Sequence, residues 1–175
     1  AIAADPKALD APAALEALLR RRAEHAPLVE LLTERVKTAA GDEALAIRRE
    51  IAEILAEKLG DKKGAIERYE ALLKDEPKDL PSLRSLERLY VAVERHEDYL
   101  KVLQAQSEVV EGDKERATLL RRLASEWEEH PGGGPRAGEQ LERLLQLDPR
   151  SEDAFRSLER IYRAHHEWKP LVETL

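Results

Sequence analysis

The chain contains no cysteine and no methionine, aromatic residues make up only 4% of it, and its formal net charge is −7. Without cysteine there is no disulfide, no thiolate nucleophile and no zinc site that needs sulfur. The few aromatic and β-branched residues argue against a sheet protein and leave too few rings for a base-stacking platform. The acidic balance argues against a nucleic-acid binder, which needs a surplus of Lys and Arg to meet phosphates. No apolar run approaches the ~18 residues of a membrane span, so no membrane insertion is expected.

What remains is helix-forming material. Ala, Leu, Glu, Arg and Lys supply 108 of the 175 residues, more than the roughly 50% that signals long helices or a coiled coil. Arginine outnumbers lysine 19 to 10 in an alanine-rich chain, a balance expected of a GC-rich bacterial coding sequence. The first residue is not Met, and the stretch from Lys169 to Leu175 stops partway through an apolar helical pattern. Both ends read as cuts through a longer polypeptide. Leu15 to Leu19 is too short for a signal-peptide core and runs into Arg20-Arg21-Arg22. Localisation stays open, with a lean toward the cytoplasm.

The chain repeats. A shift of 72 places Pro77 on Pro149, Arg84-Ser85-Leu86-Glu87-Arg88 on Arg156-Ser157-Leu158-Glu159-Arg160, and Ala65 on Ala137. A shift of 71 carries Pro77-Lys78 back to Pro6-Lys7 and His96 to His25. Matches concentrated at one spacing are the mark of a repeat architecture.

Apolar spacing and turn residues predict four helices per period, at about 43–58, 62–75, 80–95 and 97–110. Gly60-Asp61 ends the first, Pro77 bars continuation of the second, Pro81 lies in the first turn of the third, and Gly112-Asp113 closes the fourth. The next period gives helices at about 114–129, 135–146, 151–166 and from 168 onward; an earlier fragment gives helices near 9–24 and 27–39. A coiled coil suits the composition, but its seam would have to run through these Gly and Pro breaks. The expected fold is an all-α solenoid of stacked antiparallel helix hairpins, about nine to ten helices, each pair covered by its neighbours. A partial repeat occupies 1–40, repeats follow at about 43–79, 80–112 and 114–150, and a truncated one occupies 151–175.

These residues resemble the tetratricopeptide repeat (TPR) family, whose unit is a helix–turn–helix of about 34 residues. In IAEILAEKLGDKKGAIERYEALLKDEP, Ala52 and Ala65 resemble the small residues where the two helices touch, Gly60-Asp61 the turn, Tyr69 the aromatic packing residue and Pro77 the closing proline. Ala124, Ala137, Leu141 and Pro149 take those roles in LASEWEEHPGGGPRAGEQLERLLQLDP. Alternate units depart from the pattern. LRSLERLYVAVERHEDYLKVL and FRSLERIYRAHHEWKPLVETL carry Glu87 and Glu159 at the first small position and Leu100 and Val172 at the second, which should separate or rotate their helices.

The resemblance implies a surface for peptide segments of other proteins along the first helix of each unit. Residues one turn apart on those helices are Arg49 and Glu53; Arg84, Arg88 and Val91; Arg121, Ser125 and Glu128; and Arg156, Arg160 and Arg163. Most are arginine, whose planar fork grips carboxylates. An acidic segment or a C-terminal carboxylate is therefore the expected partner. Local pairing competes with this reading: Arg84 has Glu87 three residues on, and Arg156 has Glu159 and Asp153 at the same separation.

Other constellations offer less. His165-His166 adjoin on a helix and point apart, while His25, His96 and Trp168 share one repeat position that reads as helix-start packing. No metal or cofactor is expected. Trp127, Tyr90 and Tyr162 read as packing residues, and Pro131-Gly132-Gly133-Gly134-Pro135 as a helix–helix turn, since no Lys-Ser or Lys-Thr follows its glycines. With no GxSxG, HExxH or Walker loop, the chain reads as a non-enzymatic interaction scaffold. The alternative is a structural spacer or self-assembly arm, associating through exposed end repeats such as the one bearing Leu171, Val172 and Leu175.

Overall fold

The computed structural model describes residues 11–165, in which every element is an α-helix. Trp168, Leu171, Val172, Leu175, His166 and the expected helix from 168 lie outside the described residues, as does the Glu159–Val172 comparison. The chain divides into two compact units, Ala1–Leu89 and Tyr90–Leu175.

The first unit holds α1 (Ala11–Arg22), α2 (His25–Val36), α3 (Gly41–Glu57), α4 (Lys62–Asp75) and most of α5 (Leu80–Ala92). Leu19, Leu28, Leu32, Ile47, Ile51 and Ile54 form one buried cluster that joins α1, α2 and α3. Neighbouring helices are thus tied by apolar faces too narrow to be stable alone. Ala52 and Ala65 are fully buried, as the small-residue pattern requires. Local chemistry sets the ends of α4. The Gly60 φ of +70° permits the sharp exit from α3, and the Asp61 carboxylate accepts the Gly64 N–H at 2.9 Å. An ion network fastens α1. Glu16 accepts from Arg20 and Arg35, which also reach Glu50 and Glu43. Partial burial pushes the Glu16 carboxyl up, but the two guanidiniums outweigh it and hold it below the usual carboxylate range.

The second unit continues from the end of α5 through α6 (His96–Val109), α7 (Asp113–Glu129), α8 (Gly134–Leu147) and α9 (Glu152–His165). Its core joins Leu120 and Ala124 of α7, Ala137, Leu141 and Leu144 of α8, and Ala154, Leu158, Ile161 and Tyr162 of α9. Arg116 reaches back from α7 and donates to the carbonyls of Ser107 (3.2 Å) and Val110 (2.6 Å). It thereby satisfies acceptors that the end of α6 leaves without helical partners. Tyr90 and Tyr162 are buried, as their repeat positions predict.

The backbone repeats with the sequence. Gly60 and Gly132, 72 residues apart, both have positive φ; so do Ala23 (54°) and Glu94 (59°), 71 apart. The second pair corrects the expected helix at 80–95. The chain turns left-handed at Glu94, the Arg95 N–H bonds the Tyr90 carbonyl at 2.9 Å, and α5 stops at Ala92. Without a glycine at the turn, the stop carried no sequence signal. Gly112, by contrast, has φ −82° and serves as the N-cap of α7.

The close helix contacts give a direct test. Enlarging Ala65 or Ala137 to Leu is expected to overpack the α3–α4 and α7–α8 contacts and destabilise by about 1–3 kcal/mol in urea unfolding. Gly138→Ala is the control. Its Cβ would meet Leu158, Ile161 and Tyr162 only at 3.7–4.0 Å, so helix propensity predicts a small gain in stability.

Candidate functional site

The arginines selected from the sequence divide into distinct environments. Arg49 turns into the first unit, with Nε 3.5 Å from Oδ2 of Asp79, whose side chain is 8% exposed. The same Oδ2 accepts the Ser82 N–H at 3.1 Å at the start of α5. Arg49 therefore sets its charge beside the residue that caps a neighbouring helix, although its buried Nε makes no hydrogen bond. Arg88 lies 3.9 Å from Glu57 and donates weakly to Ser85 at 3.3 Å. Arg84 is exposed and engaged within the protein, and Val91 is exposed. Glu53 lines a separate cavity of about 340 Å³ with His25, Leu28, Ile54 and Lys58.

In the second unit, Arg160 pairs with Glu128 across helices at 2.6 Å. Arg163 pairs with Glu159 at 2.5 Å, and Arg156 with Glu152 at 3.0 Å. The latter replaces the local partners expected for Arg156: Glu152, one turn back, takes the guanidinium rather than Asp153 or Glu159. These pairs are largely exposed and each is worth about 0–1 kcal/mol.

Arg121 differs. It makes no ion pair or hydrogen bond with another described residue. With Ser125 and Glu128 of α7, and Asp153 and Ser157 of α9, it lines a cavity of about 240 Å³ floored by Ala124, Leu141 and Ala154. Three positions chosen from α7 thus share one groove. Asp153 and Ser157 were absent from that choice, although small or polar residues at one-turn spacing on α9 would have indicated them. The contrast with Arg49 follows from one substitution between repeat copies. Arg121 stands where Arg49 does, but Ser151 stands where the first copy has Asp79.

Sequence reasoning also missed an aromatic ladder in the second unit. The Arg122 guanidinium lies over the Tyr99 ring at 5.4 Å, His96 tilts against Tyr99 at 5.7 Å and stacks on His130 at 6.0 Å, and His130 meets Trp127 edge-on at 5.4 Å. Arg136 closes the series over Trp127 at 4.5 Å. Three separate elements converge here, so no local motif announced it. His96 nevertheless keeps a packing role. Trp127, His130 and Arg136 face a cavity of about 600 Å³ whose other walls carry Glu97, Lys101 and Glu139. Its acidic and basic side chains balance, so charge selects no ligand class.

Tyr99 donates to Glu126 at 3.0 Å. Burial first, and then the Glu126 carboxylate, push the phenol up to about 12. The folded protein therefore gains stability from neutral Tyr99 that is intact below pH 10 and lost as pH rises from about 10 to 12. An absorbance titration should show an inflection near pH 12 that disappears in Tyr99→Phe.

No group of three or more His, Asp or Glu among the described residues is placed to hold a metal. Nor is any described helix long and apolar enough to cross a membrane.

Solved structures supply the comparison. A MamA RS-1 ArsTM double mutant matches 93% of this chain and 88% of its own, with TM-score 0.52 and 17% identity. A tetratricopeptide repeat protein from Parabacteroides merdae matches 98% of this chain and 64% of its own, with TM-score 0.52 and 16% identity. A second MamA structure matches with TM-score 0.51 and 12% identity. The fold is that of the tetratricopeptide repeat proteins. No protein-family model matches the sequence, and no curated protein matches it significantly. At these identities the TPR likeness is one of architecture.

Proposed function

We propose that this TPR-fold chain is a non-enzymatic interaction scaffold that binds a carboxylate-bearing peptide segment of another protein, with the α7–α9 groove as its principal contact. The supporting observation is Arg121, an exposed guanidinium in a groove with no acidic partner among the described residues. Arg156, Arg160 and Arg163 are held by nearby glutamates and serve as a basic surround. Arg49, Arg84 and Arg88 belong to the first unit, where Arg49 is committed to Asp79. Arginine at such a position offers a bidentate grip and favours encounter with an acidic segment.

The alternative, a self-assembly arm, draws on Leu15 and Leu18, which are 46% and 37% exposed on α1. One experiment separates the two. Phage-displayed random peptides selected on the chain should be enriched in acidic residues or C-terminal carboxylates, and Arg121→Glu should abolish that enrichment. No enrichment on the unmodified chain, together with a mass in light scattering that grows with concentration, would favour assembly.

A further inference from the structure

The α7–α9 groove carries a second charge that the scaffold reading does not use. Asp153 lies in the first turn of α9, exposed, and makes no ion pair or hydrogen bond with another described residue. Arg156, three residues on, is occupied by Glu152. Arg121 and Asp153 line the same cavity without pairing with one another, over a floor of Ala124 and Ala154 that keeps large side chains out of the space between them. The other carboxylate of the groove, Glu128, already has Arg160 as its counter-charge. The groove therefore presents one cation and one anion in no direct ion pair, with Ser125 and Ser157 beside them.

We propose, on the basis of the scaffold reading above, that Asp153 sets specificity by demanding a basic residue next to the carboxylate that Arg121 takes. The preferred segment then carries Lys or Arg beside Asp or Glu, in extended form, with its backbone amides within reach of the serine hydroxyls. Successive side chains of an extended segment point to opposite sides, so two adjacent opposite charges can address opposite walls of the groove. A purely acidic segment gains Arg121 but sets a like charge against Asp153, and complementary juxtapositions of this kind govern choice of partner more than total affinity. The first repeat copy lacks this arrangement, since Pro81 stands at the position of Asp153 and Arg49 is held by Asp79.

The test selects the same random peptide library on the full chain and on its Asp153→Lys variant, with circular dichroism confirming equal helicity. Peptides taken by the unmodified chain should carry a basic residue next to an acidic one, and those taken by Asp153→Lys should be acidic without it. A selected mixed-charge peptide should bind Asp153→Asn about threefold to fivefold more weakly in fluorescence anisotropy, the scale of one exposed ion pair. If the unmodified chain selects acidic peptides with no adjacent base, or if Asp153→Lys leaves the selected set unchanged, the role of Asp153 is overturned while the scaffold reading stands. If neither chain enriches any peptide, the scaffold reading fails and this inference falls with it.

Discussion

Gly133→Ala is expected to destabilise the second unit by at least about 3 kcal/mol, the scale of severe overpacking. A methyl group added there would lie 1.9 Å from the Trp127 carbonyl oxygen and 3.0 Å from that of His130. Both are backbone atoms and neither can swing aside. The Gly133 N–H also bonds the His130 carbonyl at 2.9 Å, and its own carbonyl accepts the Ala137 N–H at 2.9 Å, so the residue cannot shift without opening the first turn of α8. Gly132→Ala provides the comparison. Its Cβ meets nothing within 4 Å, so only the φ of +75° opposes it, at about 1 kcal/mol. Urea unfolding followed by tryptophan fluorescence should rank the two in that order. Equal losses would show that the Trp127–Gly133 approach is looser than described.

Leu144→Ala is expected to cost about 2–5 kcal/mol. Leu144 is fully buried in the cluster that joins α7, α8 and α9. Its removal leaves a cavity among side chains held by three helices, which cannot all close in at once. Leu145, the next residue, is only partly buried at the margin of that cluster, and Leu145→Ala should lose clearly less. Comparable losses at the two positions would contradict the assignment of Leu144 to the shared core.

The fold was largely legible because its signals are local. The helix expected at 62–75 is observed as Lys62–Asp75, since Asp61 caps it and Pro77 lies just past its end. Alanines at 52, 65, 124 and 137 marked the close contacts, and all four are buried. The end of α5 was misplaced because a glutamate, not a glycine, adopts the left-handed turn. The site was less legible. Nothing near Arg49 in sequence reveals that its partner is Asp79, thirty residues on and brought close only by folding. The choice between Glu152 and Glu159 for Arg156 depends on rotamer, not spacing. The clue that was available lay between copies: the exchange of Asp79 for Ser151 at a spacing of 72 announces that the two arginines have different employment.

That exchange bears on how such a chain can change over time. A duplicated segment supplied two versions of one side chain where the architecture has need of only one. Position 49 is paired within its own scaffold, so an alteration there removes the counter-charge of a helix-capping carboxylate. Position 121 is released from that duty, and alterations there leave every ion pair and hydrogen bond among the described residues in place.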